Sequence, residues 1–304
     1  MNIVFMGSPD FAIPSLEKLY NSEHTISAVV SNVDKRRGRG AGTSPTEVKA
    51  KALELGIPVI EVENLRDEEF ANQLKSLEPD LFVVVAFRVL PTSILEIPKI
   101  GSVNLHASLL PKYRGAAPIH WAVMNGEEKT GCTIFFLDEK VDTGNILLQR
   151  EIEIGWEENT GQVYNRLMNI GSEALLEAVE LIDSGEYELH AQDDSKATPA
   201  PKLFNEQTHV SFDVLADQVH NKIRGLSPFP TAWASLNGEK IKFYKAQTGP
   251  HANIDAGEIL IKNDKLLVGC ADSTIELLEI QLPGKKRMLV SDFLKGNTLE
   301  GTFH

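Results

Sequence analysis

Short apolar runs alternate with longer amphipathic stretches over the first part of the chain. The apolar runs are residues 3–5, 26–30, 59–60 and 81–86, and the stretches with helical spacing are residues 11–20, 45–55 and 68–77. Strands that are apolar at every position are typical of a parallel sheet with helices on both faces. The pattern therefore predicts an open, mostly parallel α/β sheet of Rossmann-like type, with residues 81–86 as a central strand.

The pattern changes character after residue 184. Before that point it predicts a strand at 102–105, a helix that begins at Pro118, paired strands at 133–137 and 145–154, and a long helix at 161–184. A polar stretch follows, then a helix at 214–225 and five short strands at 232–236, 241–246, 257–261, 265–269 and 275–281. Short strands separated by turn residues predict a small β-barrel. We expect a first domain at 1–188, a linker at 189–206 and a barrel domain at 207–304.

Length and composition support two folded domains. The chain has 304 residues, of which 42% are hydrophobic, so both a large and a small core can be filled. The first residues lack the basic flank of a signal peptide, and no apolar run is long enough to span a membrane. Cys132 and Cys270 are too few for a disulfide framework. These observations predict a protein of the reducing cytoplasm.

The net charge of -13 is unevenly distributed. Residues 1–204 hold 19 Lys and Arg against 31 Asp and Glu, whereas residues 205–304 hold 11 against 12. Cations cluster in two places, which are Lys35, Arg36, Arg37 and Arg39, and Lys285, Lys286 and Arg287. A solvated surface explains such clusters by default. The first cluster also contains three glycines in an acidic domain, which favours an element that orders on a phosphate backbone.

Three polar residues form the strongest candidate for chemistry. Asn104 and His106 are two apart in a predicted strand, so their side chains leave the same face, and Asp142 can reach them through the fold. A carboxylate orients an imidazole and stabilises its charged form, and an amide can donate to a developing oxyanion. A structural histidine is the alternative. We interpret these three residues as the reactive groups of a site for acyl-type transfer.

A ligand segment is predicted directly after this strand. Its residues are Ser108, Leu109, Leu110 and Pro111. In open α/β sheets ligands bind at the carboxyl ends of strands, and apolar side chains beside free backbone groups suit a flat heteroaromatic molecule. A loop that merely returns to the core is the alternative.

Other motifs are absent or ambiguous. The turn at residues 7–11 lacks the glycine pattern of dinucleotide sites and the lysine of triphosphate sites, so we interpret it as a capped helix start. The histidines show no metal-ligand spacing, and we predict no metal site. Trp233 and Tyr244 belong either to the barrel core or to a base-stacking platform.

The segment from Asn104 to Ile119, together with Asp142, Thr143 and Gly144, resembles the signature of folate-dependent formyltransferases. The resemblance covers almost the whole chain. It includes residues 7–12, the Gly38-Arg-Gly40 motif, residues 223–230 and residues 284–288. It is closest to the branch of that family whose acceptor is a charged tRNA.

The resemblance implies an activity and a role for each motif. The activity is transfer of the formyl group of 10-formyltetrahydrofolate to the α-amine of methionyl-tRNA, the charged initiator tRNA, for translation initiation. Asn104, His106 and Asp142 match the catalytic trio, residues 108–111 match the folate segment, and the loop around Arg39 matches one that engages the tRNA acceptor end. The second domain would be an OB-like barrel that holds the tRNA. We further expect a cytoplasmic monomer.

The chain departs from the family pattern in three places. Lys35, Arg36 and Arg37 replace a common proline, residues 86–91 are one residue shorter than usual, and His120 replaces a frequent glutamine. None of these positions belongs to the trio. They affect the shape of the basic loop and of the ligand pocket near Phe87 and Arg88.

Three other functions compete with tRNA formylation. A formyltransferase for a nucleotide sugar or another small amine would share the trio but would not need the barrel and the basic loop. A non-catalytic nucleic-acid-binding protein would use the barrel and the cations but would leave the trio without a role. A dinucleotide oxidoreductase is least supported, because the glycine fingerprint is missing.

Overall fold

The computed structural model describes residues 1–36 and 43–304, and at residues 35 and 36 only the backbone. Its strands up to residue 153 are β1 (Asn2–Gly7), β2 (Thr25–Asn32), β3 (Lys35–Arg36), β4 (Thr43–Ser44), β5 (Val59–Val62), β6 (Leu81–Val85), β7 (Gly101–His106), β8 (Lys129–Phe136) and β9 (Ile146–Glu153). Its helices up to residue 184 are α1 (Ile13–Tyr20), α2 (Glu47–Glu54), α3 (Glu68–Ser76), α4 (Thr92–Leu95), α5 (Pro118–Met124) and α6 (Thr160–Ser184).

The rest of the chain is mainly β-structure. After short 3₁₀ turns at Asp194–Lys196 and Asn205–Thr208, the elements are α7 (Ala216–Gly225), β10 (Ala232–Leu236), β11 (Glu239–Gly249), β12 (Ile259–Lys262), β13 (Lys265–Gly269), β14 (Thr274–Gln281), β15 (Met288–Leu289) and α8 (Val290–Phe293). The five barrel strands that the sequence predicts are all present. The two-residue strand β15 is an addition, because so short a strand leaves no periodicity to detect.

The chain forms two compact units. The first contains Met1–Gly115, Gly131–Ile152 and Tyr164–Pro199, and the second contains Ala116–Thr130, Glu153–Val163 and Ala200–His304. From Ala200 onward the chain belongs to the second unit only, and this change falls within the segment predicted as a linker. The domain limits given above stay a prediction.

The first unit is built on a sheet with the strand order β5-β2-β1-β6-β7-β8-β9. Neighbouring strands from β5 to β7 run parallel, and β8 runs antiparallel to β7. β6 lies in the middle and all five of its residues are buried. The predicted parallel α/β sheet and its central strand are confirmed.

Both faces of this sheet are covered by apolar side chains. On one face Val4 of β1 and Phe82 of β6 belong to a cluster with Phe70 and Leu74 of α3 and Ile94 of α4. On the other face, alternate residues such as Ile3, Phe5 and Val83 are also fully buried. A strand that is buried on both faces must be apolar throughout, which is why these runs are continuous in the sequence.

The second unit contains an antiparallel sheet with the order β10-β11-β14-β13-β12, and β15 pairs with β14. The last residues of the chain close it. Thr302 forms a bridge with Glu258 beside β12, and His304 exchanges two backbone hydrogen bonds of 2.7 and 2.8 Å with Ser235 of β10. The predicted small barrel is confirmed, with a closure that the five strands alone do not provide.

Aromatic rings fill the centre of the barrel. The ring centroids of Phe212, Phe243 and Phe303 lie 5.3 to 6.1 Å apart. Phe303 is 3% exposed, although it lies one residue from the end of the sequence. It therefore ties the closing segment to the core.

The polar stretch predicted as a linker is hydrogen-bonded to the first unit between residues 190 and 198. His190 and Ile146 exchange two backbone hydrogen bonds of 2.8 and 2.9 Å, and the amide of Arg114 donates to the carbonyl of Thr198 at 2.9 Å. Backbone hydrogen bonds therefore fix this part of the segment to the first unit.

Two exclusions from the sequence can be compared with the structure. Cys132 and Cys270 are both buried and unpaired. In residues 1–36 and 43–304, no helix is long and apolar enough to cross a membrane.

Truncating the ring of Phe303 tests the barrel closure. Because Phe303→Ala removes a fully packed ring, we expect the free energy of unfolding to fall by about 3–5 kcal/mol in urea denaturation. Phe204→Ala is the matched control, because that ring is 56% exposed, and it should cost less than about 1 kcal/mol. Equal effects of the two substitutions would contradict the packing role of Phe303.

Candidate active site

Asn104 and His106 lie at the carboxyl end of β7. They alternate with Val103 and Leu105, so the two polar side chains share one face of the sheet. On the opposite side Leu105 packs against Gly171 of α6, where a Cβ atom would come within 3.1 Å of the leucine methyl groups. The helix packs on the apolar side of the strand and leaves the polar side to the site.

The imidazole of His106 is held by the turn that follows β7. His106 is 6% exposed, and its Nε2 atom lies 2.8 Å from the backbone oxygen of Tyr113. Because a carbonyl oxygen can only accept a hydrogen bond, Nε2 must carry a hydrogen. The contact fixes the tautomer of the neutral ring and leaves Nδ1 for the remainder of the site.

Asp142 reaches His106 from the loop between β8 and β9. Its backbone is left-handed, with φ of 56°, a conformation that aspartate tolerates better than most residues. Its Oδ2 atom accepts a hydrogen bond of 2.8 Å from the amide of Gly115 and lies 3.8 Å from Nδ1 of His106. The second distance is too long for a hydrogen bond and is an ion-pair contact only when the imidazole is protonated.

The residues 113–115, which we call the 113–115 turn, therefore contact two members of the trio. Tyr113 offers its carbonyl to His106, and Gly115 offers its amide to Asp142. Tyr113 and Gly115 both have positive φ, at 63° and 125°. This backbone shape turns one carbonyl and one amide toward the same site.

Asn104 faces a small cavity beside this pair. Its Nδ2 atom donates to the carbonyl of Val84 at 3.1 Å, and the second hydrogen of the amide remains for another acceptor. Asn104 and Asp142 both line a cavity of about 80 Å³. Its apolar wall includes Val84, Phe87, Leu90, Leu95, Leu137 and Val141. Asn104 and Asp142 thus meet at one cavity at the carboxyl ends of β6 and β7, and His106 adjoins it through its contact with Asp142.

The wall of the cavity that follows β6 is anchored by Arg88. Its guanidinium donates to the carbonyls of Val62 and Glu63 at the end of β5, both at 2.7 Å. Burial lowers the pKa of this guanidinium from its usual value. A wider groove lined by Arg66, Arg88, Val89 and Thr92 adjoins the cavity.

Gly144 allows the Asp142 loop to lie against β8. A Cβ atom at this position would be 1.7 Å from the backbone oxygen of Phe136, a distance that no structure accommodates. The glycine is therefore required for a close approach of two backbones.

The predicted ligand segment is held by internal hydrogen bonds. Ser108 donates to the carbonyl of Lys112 at 2.6 Å, and the amide of Leu110 donates to Oγ1 of Thr133 at 3.1 Å. The carbonyl of Leu110 accepts from Gln149 at 2.9 Å. Neither Ser108, Leu109, Leu110 nor Pro111 lines the cavity beside Asn104. The role of this segment stays a prediction.

The first predicted cation cluster lies partly outside the described residues, and the second lies within them. Arg37 and Arg39 lie outside the described residues, and the backbone of Lys35 and Arg36 forms β3, which pairs with β4. In the second unit Lys285 and Lys286 are exposed in the turn between β14 and β15. Arg287, in contrast, forms an ion pair with Glu279 that raises its pKa, and it lies 4.3 Å over the ring of Tyr244.

Trp233 and Tyr244 lie on the outer face of the barrel. Alternation along β11 buries Ile241 and Phe243 and leaves Lys242 and Tyr244 partly exposed on the opposite face. Trp233 is paired with Lys242 across the strands. Trp233 and Tyr244 are therefore not part of the barrel core, which was one of the two positions that the sequence left open.

The sequence analysis did not identify two residues that shape the site. Gln192 donates from Nε2 to the carbonyls of Asp142 and Gly144 at 3.0 and 2.8 Å. Thr198 accepts from the amide of Tyr113 at 2.9 Å. Both lie in the polar stretch predicted as a linker, and nothing in its composition points to these partners.

The described part of the chain contains no candidate metal site. Among residues 1–36 and 43–304, no group of three or more His, Cys, Asp and Glu side chains is arranged to hold a metal ion.

A parallel α/β sheet with Asn, His and Asp at its carboxyl edge, followed by a small barrel, is the arrangement implied by the sequence resemblance. The family model for formyl transferase matches residues 1–179, and the model for the formyl transferase C-terminal domain matches residues 202–298. The chain belongs to the formyl transferase family.

The chain is also similar to individual members of the family over almost its full length. The chain is 42% identical over 303 residues to methionyl-tRNA formyltransferase of Clostridioides difficile (strain 630), a match that covers 99% of this chain and 98% of that relative. These matches confirm the resemblance to the formyltransferase family that the sequence indicates.

Solved structures share the fold at lower identity. The N-formyltransferase from Helicobacter canadensis, in complex with folinic acid and dTDP-3-aminofucose, has a TM-score of 0.69 at 22% identity, covering 90% of this chain and 98% of that one. HypX from Aquifex aeolicus, in complex with tetrahydrofolic acid, has a TM-score of 0.66 at 18% identity over 97% of this chain. The chain spans about half of HypX, namely 47% of its length. At these identities the likeness concerns the fold alone.

Adding a methyl group at Gly144 tests the geometry of the Asp142 loop. Gly144→Ala should push the loop off β8 and lower formyl transfer about 100-fold, because a displacement of about 1 Å is enough for such a loss. Initial rates of formyl transfer measure the effect. Gly296→Ala is the control, since a Cβ there meets nothing within 4 Å. An unchanged rate for Gly144→Ala would contradict the importance of this loop.

Proposed function

We propose that this chain transfers the formyl group of 10-formyltetrahydrofolate to the α-amine of methionyl-tRNA, and that Asn104, His106 and Asp142 carry out the reaction. The observation that supports this most strongly is that Asn104 and Asp142 line one cavity at the carboxyl edge of the sheet while His106 contacts Asp142 at 3.8 Å. The full-length relative named for this activity supports the choice of substrate. The product would be N-formylmethionyl-tRNA, used in the cytoplasm for translation initiation.

The first step forms a bond between the amine nitrogen and the formyl carbon. The lone pair of the amine attacks the carbon, and the π electrons of the carbonyl move to its oxygen. The amine proton is transferred to a base, and a tetrahedral intermediate with a negative oxygen results. Such an oxyanion is stabilised by donors that already point to its position.

Asn104 supplies one of these donors. One hydrogen of its Nδ2 atom is donated to Val84, which fixes the plane of the amide. The second hydrogen is directed to the oxyanion. Because the amide is held before the reaction, it needs no reorientation as charge develops.

His106 supplies the second donor through Nδ1. Its Nε2 hydrogen is already donated to Tyr113, so only Nδ1 can serve the reaction. In the protonated ring Nδ1 carries a hydrogen that lies between Asp142 and the oxyanion. The carboxylate at 3.8 Å orients this ring by charge.

Asp142 serves as the base for the amine. Its Oδ2 atom is held by Gly115, which leaves Oδ1 to accept the proton directly or through water. The intermediate then collapses as the oxyanion re-forms the carbonyl. The bond from carbon to N10 breaks, and N10 takes up a proton, so that the amine loses one hydrogen and the folate gains one.

The cavity and the groove beside it accommodate the folate in this proposal. The cavity is apolar on one side and carries Asp138 and Lys140 on the other, which suits a flat ring with polar edges. The adjoining groove shares Arg88, Val89 and Leu90 with the cavity, so one ligand can extend through both. Ser108, Leu109, Leu110 and Pro111 are also assigned to the folate, as the family resemblance implies.

The tRNA is assigned to the two cation clusters. Lys285 and Lys286 are exposed, and within the described residues neither forms an ion pair. Lys242 lies on the outer face of the neighbouring barrel strand beside Trp233. Cations interleaved with aromatic rings suit single-stranded nucleic acid. Lys35, Arg36, Arg37 and Arg39 would add contacts from the first unit, and we propose that the chain acts as a monomer.

Replacing Asn104 tests the chemistry. We expect Asn104→Ala to lower kcat about 100- to 1,000-fold, because one oxyanion donor contributes roughly 3–4 kcal/mol of transition-state stabilisation. The assay measures formyl transfer from 10-formyltetrahydrofolate to methionyl-tRNA. Asn169→Ala is the control, because that exposed amide bonds only within α6. Normal turnover of Asn104→Ala would exclude the proposed role, and rapid formylation of an amino sugar with indifference to methionyl-tRNA would exclude the proposed acceptor.

Salt dependence tests the barrel surface. Removing both exposed lysines in a Lys285→Ala, Lys286→Ala variant should raise KM for methionyl-tRNA and flatten its salt dependence by about two units, one for each phosphate contact. Affinity for the folate should not change. Lys295→Ala is the control, since that lysine is ion-paired with Asp292 at 2.7 Å. An unchanged slope in the double variant would remove these lysines from the tRNA contact.

A further inference from the structure

The segment 190–199, which we call the strap, lies against the two backbone segments that position His106 and Asp142. At one end His190 pairs with Ile146, just beyond the Asp142 loop. At the other end Thr198 binds the 113–115 turn, where it accepts from the amide of Tyr113 through Oγ1 and from the amide of Arg114 through its carbonyl. The strap therefore bridges the turn that contacts His106 and the loop that carries Asp142.

Gln192 is the residue at which these contacts meet. Its Nε2 atom donates to the carbonyls of Asp142 and Gly144, at 3.0 and 2.8 Å. Its Oε1 atom accepts from Nε and Nη2 of Arg114, at 3.1 and 2.8 Å. Both hydrogens and both lone pairs of the amide are used.

These partners permit one orientation of the amide. A carbonyl cannot donate and a guanidinium cannot accept, so exchanging the oxygen and nitrogen of Gln192 would break all four hydrogen bonds. Arg114 is fixed in turn by Asp194, whose Oδ1 atom accepts from Nη2 at 2.7 Å. Arg114 lies between Tyr113 and Gly115 in the chain, so its position is coupled to the contacts of the 113–115 turn.

We propose that Gln192 is a positioning residue that holds the carboxylate of Asp142 at the 113–115 turn and in register with His106. It touches neither substrate nor reacting atoms and acts through Asp142. Its catalytic consequence rests on the function proposed above, whereas its effect on the position of Asp142 does not.

Gln192→Glu is the variant that isolates this role. It keeps the size of the side chain and the acceptor for Arg114, but it replaces the two hydrogens with an oxygen that faces two carbonyls. Gln207→Glu is the matched control. Gln207 uses Oε1 to accept from the amide of Phe204 at 2.9 Å, and a carboxylate preserves that bond.

Amide exchange of Gly115 reports directly on Asp142, because this amide donates to its Oδ2 atom. We expect exchange in Gln192→Glu to accelerate at least about fivefold, the effect of losing roughly one hydrogen bond. The same variant should lower kcat about 10- to 100-fold while KM for both substrates stays within about twofold. Gln207→Glu should change none of these quantities.

A double substitution separates positioning from a general effect on structure. In an Asp142→Asn background, adding Gln192→Glu should change kcat by less than about twofold, because the two act through one group. Unchanged Gly115 exchange, or independent and additive effects on kcat, would overturn the role of Gln192. An inactive wild-type enzyme in which Gln192→Glu still accelerates Gly115 exchange would instead overturn the proposed function and leave the positioning role intact.

Discussion

The site depends on the short turn after β7, in which one carbonyl and one amide face the same point. The carbonyl of Tyr113 binds Nε2 of His106, and the amide of Gly115 binds Oδ2 of Asp142. The first contact decides which imidazole nitrogen remains for chemistry, and the second decides where the carboxylate lies. Neither property belongs to His106 or Asp142 alone, because the turn imposes both.

Much of the fold follows from the hydrophobic pattern. The residues of β6 are apolar throughout because the strand is buried on both faces, and this alone places it near the middle of the sheet. Asn104 and His106 could be paired from their spacing in a strand. Asp142 could be added only from its chemistry and its family resemblance, since its approach depends on a left-handed residue and on Gly144.

Other features could not be predicted from the sequence, for physical reasons. The strands β3, β4 and β15 contain two residues each, which is too short for any periodicity. The polar composition of the strap suggested a linker, because polar side chains that bind backbone groups look the same in a sequence as those that bind water. A run of cations likewise overstates the available charge, since Arg287 is neutralised by Glu279.

The tautomer of the His106 ring is the most direct test of whether the 113–115 turn holds the imidazole through Tyr113. Long-range ¹H–¹⁵N NMR of the neutral imidazole distinguishes the two tautomers by their nitrogen shifts. If the turn binds His106, the neutral ring carries its hydrogen on Nε2, with the shift of a nitrogen that donates to a carbonyl. Nδ1 is then unprotonated in the neutral ring and gains its hydrogen only when the ring takes up the proton that it offers to the oxyanion. A neutral ring that carries its hydrogen on Nδ1 would contradict this prediction, because the 113–115 turn would then not bind His106.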